Sequence, residues 1–572
     1  MSLRYEVLHA HPHLYLGAAS VVSSALASTT LPSFLLLVVH LSILLIYGPI
    51  LLDRRGQKWP KITALWFGLS IFRSISWFAP SIHALDTPAT SVLILLGQSM
   101  ATSAIALVAV LGHTYLRTRI TMPAGTQHTL FPALWAGVWC ALAYASPVGY
   151  LTSWTPVVGT GPYDWLVPLL SPAVKDWLVA AWAVVCSQVV EGWIMGWETP
   201  EEAPLIPAQH TELPGPSKNT HDHYSGSKAF ALLLIVLMVP SLFGTDLPLP
   251  VLSPDTTPLG VGCVLPSSQR YNHNPTIDDY IAETRTIAPH ADIVLWPEGA
   301  VSFQNESERD AIFKRVRWDV PDVHVGISFV ETYTNEGLKR NGFAIIAKGV
   351  DTPHLIYYKK HLVPIAESYS MRAGDLEPSI YNLEIKAPKG VKKPDWAPEP
   401  KFTRPVPLTA SICLDLAMPS PFSALESKPA LILAPGRTWE TTVGRIMWEQ
   451  AKQRALELGS AVLWCDGGDG GISGVAGRGI SESIQVGKGS WARKIGIQYE
   501  FDESRTFYGK GGNWLILVLI CLPVVLGPSE ALVKLLPRAS LLSQLGNMRR
   551  RIMGRKNETR IENDAEHEDL MG

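Results

Sequence analysis

Residues 31–52, LPSFLLLVVHLSILLIYGPILL, carry no charged side chain. In hydrocarbon every backbone N–H and C=O must find its partner within the segment. About 20 apolar residues in a row therefore read as a helix that crosses a bilayer. Comparable runs recur near 13–29, 61–80, 91–115, 130–150, 176–196, 228–244 and 513–528, eight candidates in all. Residues 256–510, between the seventh run and the eighth, have the composition of an ordinary globular domain. Charged residues are only 17% of the 572-residue chain, and that mean conceals the contrast between the two parts. A purely soluble chain is excluded, and so is disorder in the later part. Lys and Arg number 48 against 50 Asp and Glu, which leaves no electrostatic case for a nucleic-acid partner.

The loops between the apolar runs differ in charge. Loop 53–61 holds Arg54, Arg55, Lys58 and Lys61, loop 116–129 holds Arg117 and Arg119, and eight Lys and Arg fall between 534 and 560. Loops 81–90 and 151–175 hold only Lys175. Lys and Arg accumulate on the cytoplasmic side of membranes. The expectation is eight spans with both termini cytoplasmic, and 256–510 on the periplasmic or lumenal side. The expected parts are a membrane bundle over 1–244 with a cytoplasmic linker at 197–227, the domain 256–510, a last span at 513–528 and a tail at 529–572. No short apolar core with a cleavage pattern marks a removable signal peptide. Arg73 lies inside the third run, where a charge either pairs or snorkels structurally or serves a function. His221 with His223, and His9 with His11 and His13, lack the Cys or carboxylate partners of a metal site. No metal and no cofactor is expected.

Within 256–510, short apolar runs alternate with turns: GVGCVL, DIVLWP, VHVGIS, FAIIAKG, LIYYKKHLV, LTASICLDL, ALILAP and AVLWC. Helical patterns at 275–289 and 440–459 fall among them, so the segment reads as an α/β or sandwich-type domain. Of the six cysteines, Cys140, Cys186 and Cys521 lie in apolar runs. Cys263 and Cys465 sit mid-strand and read as core thiols, and no disulfide framework is expected.

Three polar residues end such runs: Glu298 in ADIVLWPEGA, Lys359 in YYKKHLVPIAES and Cys413 in LTASICLDLAMP. A thiol at a strand end faces a pocket, and the N–H of the next residue, Leu414, is placed to bind an oxyanion. A carboxylate can take the thiol proton, and an ammonium can stabilise both the thiolate and a tetrahedral intermediate. The chemistry permits this trio without selecting it from the chain.

WPE after a strand, then YxKxHLVPxxE, then xICxDL, in this order, resemble the motifs of the nitrilase, or carbon–nitrogen hydrolase, superfamily. The whole layout is similar to the bacterial apolipoprotein N-acyltransferase family: a membrane bundle, a nitrilase-like domain outside the cytoplasm, and one last span. RNGFAII with Asn341, QAKQRALELG, GGIS and RTFYGKGGNW also resemble family segments. The resemblance implies an α-β-β-α sandwich, with Cys413 as nucleophile, Glu298 as general base and Lys359 as the cationic stabiliser. Lys359 is preferred to Lys360 because the family's Lys lies eight residues before the motif's second Glu, here Glu367. Glu367 and Asn341 are supporting residues, and His361 is a structural neighbour. Leu414 and Asp415 stand where the family usually has an aromatic residue and a Glu. AVLWCDGGDGG replaces another family segment, and both changes are expected to touch acceptor recognition rather than the catalytic atoms.

The implied activity moves an acyl chain from a membrane phospholipid, through a Cys413 thioester, to an amine acceptor such as a lipoprotein N-terminus. A membrane-tethered amidase and a non-enzymatic scaffold are the alternatives. Asn305-Glu306-Ser307 matches a glycosylation acceptor on the non-cytoplasmic side, and Asn557-Glu558-Thr559 falls in the cytoplasmic tail.

Overall fold

The computed structural model describes residues 11–526, apart from 54–56, 86, 121–123, 153, 155, 196–218, 245–246, 268–270, 272 and 333–336. The expected basic tail, most of the linker and Asn557 lie outside the described residues.

The apolar runs are helices: α1 Pro12–Ala27, α2 Phe34–Leu51, α3 Lys58–Ser76 with the short α4 Phe78–Ser81, α5 Pro88–Arg119, α6 Ala124–Ala145, α7 Ala173–Met195, and α8 Asn219–Val236 with α9 Val239–Phe243. By length and composition, four described segments suffice to cross a membrane: Phe34–Leu51, Pro88–Arg119, Ala173–Gly192 and Gly226–Phe243. The helices share a core of Leu41, Leu44, Val110, Phe131, Trp135 and Trp139.

The later part is a mixed α/β domain of four layers. Strands β1 Thr256–Cys263, β2 Ile293–Leu295, β3 Val301–Phe303, β4 His324–Thr332, β5 Lys339–Ile346 and β6 Leu355–Tyr358 join β13 Trp491–Gln498 in one sheet, in the order β13-β1-β2-β4-β5-β6 with β3 beside β4. Strands β7 Tyr381–Lys386, β8 Thr403–Ala410, β9 Leu431–Gly436, β10 Ala461–Asp466, β11 Ile472–Gly477 and β12 Ile480–Val486 form the other, in the order β12-β11-β10-β9-β8-β7. The sheets stack face to face on Leu295, Phe343, Leu408, Leu433 and Leu463. Helices α10 Ile277–Ile287 and α11 Glu306–Asp319 cover the first sheet through Tyr280, Ile281, Phe313 and Val316. Helix α12 Thr441–Leu458 covers the second through Met447, Trp448 and Ala451. Two short helices, α13 Phe507–Gly511 and α14 Trp514–Leu526, lead back to the bundle.

Local chemistry sets the helix ends. Thr276 and Asp279 form a capping box on α10. The Glu440 side chain caps α12, which stops at Gly459 in the left-handed conformation, φ 64°. Strands β2 and β4 run parallel, as do β8, β9 and β10. Their C-terminal ends therefore share one edge of the sandwich, where the site lies.

One expectation is corrected. Cys263 and Cys465 are not separate core thiols; they form a disulfide, with Cα atoms 5.6 Å apart across 202 residues of chain. Cys263 ends β1 in one sheet and Cys465 lies on β10 in the other, and both belong to the core between the sheets. Each strand alone shows a buried Cys. Only the stacking of the sheets brings the two sulfurs together.

Candidate active site

Three strand ends deliver three side chains. Strand β2 runs into Trp296, Pro297 and Glu298, and the Glu298 N–H donates to the Gly436 carbonyl (3.3 Å) at the end of β9 in the opposite sheet. Strand β6 runs into Lys359, whose backbone is fixed by its N–H donating to Asn341 O (2.9 Å) and by Gly374 N–H donating to its carbonyl (2.8 Å). Strand β8 runs into a 3₁₀ turn, Cys413–Ala417, entered with Cys413 at φ 47°. A non-glycine residue there is strained, and such strain concentrates at functional positions. Leu414 is the second residue of that turn, where helical N–H groups lack an intrahelical acceptor.

Lys359 is 1% exposed and donates to Glu298 Oε1 at 2.7 Å and to Glu367 Oε1 at 2.8 Å. Asn341 Nδ2 donates to the same Glu298 oxygen at 2.7 Å, and Val363 N–H holds the other oxygen of Glu367 at 2.8 Å. Burial disfavours the Lys359 ammonium, but Glu298, the Cys413 thiolate and Glu367 outweigh it and raise its pKa above the ordinary range. Cys413 is 9% exposed. Burial and then Glu298 push its thiol well above the usual value, while Lys359 and the Arg437 backbone N–H pull it back. The structure thus brings Glu298, Lys359, Glu367, Asn341 and Cys413 together. Lys360 points away and pairs with Glu377 at the surface.

Asp415 is not on a recognition surface. It is 1% exposed and accepts from Tyr357 OH, His361 N–H and His361 Nδ1, each at 2.8 Å. The nucleophile turn is thereby fastened to the segment that carries Lys359. His361 meets Asp415 through both its backbone N–H and its ring. In the AVLWCDGGDGG segment, Asp466 is fully buried and accepts from Thr438 N–H (2.9 Å), Thr438 Oγ1 (2.7 Å) and Gly468 N–H (3.0 Å). It shapes the loop whose Arg437 N–H reaches Cys413.

Arg454 has a role that the sequence reading did not assign. Its Nη2 donates to the carbonyls of Leu416 and Met418, 2.8 Å each, and its Nη1 to Glu457. It closes the end of the turn that Cys413 opens. Gly149 of the membrane part packs on the same turn: a Cβ there would stand 2.4 Å from Ala417 O. The RALELG pattern was the signal for Arg454; no local signal marked Gly149. A cleft of about 1430 Å³ lies at the junction of bundle and domain, lined by Leu31, Val158, Lys175, Arg445 and Gly479 among others. Glu298, Lys359 and Cys413 do not line it.

No protein-family model matches the chain. It is 26% identical over 251 residues to the apolipoprotein N-acyltransferase of Coxiella burnetii, covering 41% of this chain and 49% of that one. The chain thus spans about half the length of that curated relative. Among solved structures it is similar to Saccharomyces cerevisiae Nit3 of the nitrilase superfamily, at 15% identity, 44% coverage of this chain, 93% of that one and TM-score 0.32. It is also similar to the NitN amidase from Neterenkonia sp. AN1, at 15% identity, 41% and 91% coverage and TM-score 0.28. A mixed α/β domain resembling the nitrilase fold, joined to membrane-type helices, defines the class. The particular relative it distantly resembles is apolipoprotein N-acyltransferase.

Proposed function

We propose that this chain is a membrane acyltransferase that carries a fatty acyl group on Cys413 from a phospholipid to an amine, in the bacterial relatives' case a lipoprotein N-terminus. The observation that carries the reading is the buried Glu298–Lys359–Glu367 cluster beside Cys413, in a chain that also has helices able to cross a membrane. A substrate that lies in a bilayer gives a nitrilase-like domain a reason to be joined to such helices.

Glu298 takes the Cys413 proton as the sulfur attacks the ester carbonyl of the lipid. Lys359 and the Leu414 N–H hold the oxyanion. The C–O bond breaks, Glu298 returns its proton to the departing lysophospholipid oxygen, and the thioester remains. The amine then attacks the thioester, Glu298 removes the amine proton, and the C–S bond breaks. The proton passes to the sulfur and restores the thiol. Residues 256–510 work outside the cytoplasm in this reading, between a bundle over 1–244 and a last span at 513–528.

The test is intact-mass analysis after incubation with a diacyl phospholipid, followed by addition of an amine-bearing lipopeptide. A long-chain adduct on Cys413 that moves to the amine is expected. An adduct discharged only by water makes the chain a hydrolase rather than a transferase. No adduct with any acyl donor refutes the thioester.

A further inference from the structure

Arg73 lies in the last turn of α3 and is 5% exposed. Among the described residues its guanidinium has no ion pair and no hydrogen bond, and it lies 5.7 Å from the centre of the Trp154 ring. An aromatic face does not satisfy the five N–H donors of an arginine. A cation withdrawn from water without a counter-charge is costly, and inside a membrane protein it marks a site for an anion.

Two contacts tie this end of the bundle to the nucleophile. Just beyond α3, the Pro80 carbonyl accepts a bond from Trp439 Nε1 (2.8 Å), in the loop that also presents the Arg437 N–H to Cys413. Trp154 follows the 3₁₀ segment Gly149–Thr152, whose Gly149 packs on the backbone of Ala417. Arg73 therefore stands at the end of the bundle that meets the nucleophile turn. Trp154 is itself held by a stack on His40, with ring centres 5.8 Å apart, so the arginine's face is fixed.

We infer that Arg73 binds the phosphate of the phospholipid donor and so selects phospholipids over other acyl esters. This rests on the acyl-transfer reading above. A guanidinium matches a phosphate through paired N–H donors, and in a desolvated site that match is strong. The anion supplies the counter-charge that the described residues do not.

The experiment compares the full-length parent, R73M and R73K in detergent, reading single-turnover acylation of Cys413 by intact mass. One donor is a diacyl phosphatidylcholine; the other is p-nitrophenyl palmitate, which has no phosphate. For R73M the phospholipid concentration at half-maximal rate should rise about tenfold or more, as expected when one partner of a buried charge pair is truncated. Its rate with p-nitrophenyl palmitate should stay within about twofold, which also shows that the variant is folded. R73K should fall between. Equal rates with phospholipid, or equal losses with both donors, overturn the proposal. Inhibition of phospholipid acylation by added inorganic phosphate should be lost in R73M. Inorganic phosphate that binds at Arg73 without competing with the phospholipid overturns the proposal, since the site would then belong to a free anion. If the parent is acylated by neither donor, the acyl-transfer reading fails instead. Arg73 is then judged by phospholipid co-purifying with the protein, and retention in R73M at the parent's level refutes it.

Discussion

The charges around Cys413 act in opposite senses, which makes their roles separable. Its thiol is held high by burial and by the Glu298 carboxylate, and is pulled down by Lys359. Glu298→Gln removes an anion, so the thiol pKa falls and iodoacetamide should label Cys413 faster near pH 8. Acylation should nevertheless collapse, because an amide accepts no proton. Lys359→Met removes a cation, so the thiol pKa rises further and the alkylation profile moves to higher pH. Acylation should drop about a hundred- to thousandfold, the loss typical of one oxyanion contact. Lys360→Met, at a surface pair, should lie within a few fold of the parent. Lys359→Arg should not rescue, since a planar fork does not fit the ammonium's place between two carboxylates. Faster alkylation in Lys359→Met than in Glu298→Gln would reverse the assigned charges. The positions of Glu298, Lys359 and Cys413 at apolar strand ends permit this chemistry; it is the resemblance to the family's ordered motifs that singles them out. The choice of Lys359 over Lys360 rests on the family's spacing from its Lys to the motif's second Glu, here Glu367, the carboxylate Lys359 meets in the structure. Asp415 was legible as a departure but not as a buttress, because its partners Tyr357 and His361 come from another strand's end.

Secondary elements were readable where one face is apolar and obscure where it is not. Helices α10 and α12 and strands β1, β2, β4 to β6 and β8 to β10 fall on the segments expected. Strand β12 (ISESIQV) has only half-buried and exposed residues, β13 (WARKIGIQ) mixes exposed residues with buried ones, and β11 carries two glycines, Gly474 and Gly477. Pairing with a neighbour, rather than local pattern, makes them strands. The same limit hid how α12 serves the site. Arg454 projects from it to the Leu416 and Met418 carbonyls while Glu457 balances its charge. Arg454→Met strands a buried carboxylate and should cost about 3–5 kcal/mol in thermal unfolding. Arg454→Met with Glu457→Leu removes both charges, so much of that stability should return. The acylation rate should stay low, because the two carbonyls that close the nucleophile turn still lack their donor. Recovery of both stability and rate would reduce Arg454 to a scaffold residue.

At the scale of the whole molecule, the sandwich is closed on itself by the Cys263–Cys465 disulfide and closed onto the bundle by backbone contacts at its catalytic edge. Denatured protein should show four thiols before reduction, Cys140, Cys186, Cys413 and Cys521, and six afterwards. A disulfide persists in an oxidising compartment and is rare in a cytosolic one. It therefore supports the placement of 256–510 that the Lys and Arg of loops 53–61 and 116–129 suggested independently. The two arguments share no residue, one resting on loop charge and the other on sulfur chemistry. A single-cysteine label at Ser302, exposed on the first sheet, should react from the non-cytoplasmic side, and a label in loop 116–129 from the cytoplasmic side. Labelling of Ser302 from the cytoplasm alone, with six thiols present before reduction, would invert the topology. Gly149 links that topology to chemistry. Its φ of 56° and its approach to Ala417 leave no room for a side chain, so Gly149→Ala must push the bundle loop and the nucleophile turn apart. The expected result is a fall in acylation rate with both phospholipid and p-nitrophenyl palmitate, at unchanged half-saturating concentrations. This differs from R73M, which affects phospholipid alone. A Gly149→Ala protein with the parent's rates would mean that the bundle only anchors the domain and does not set its nucleophile.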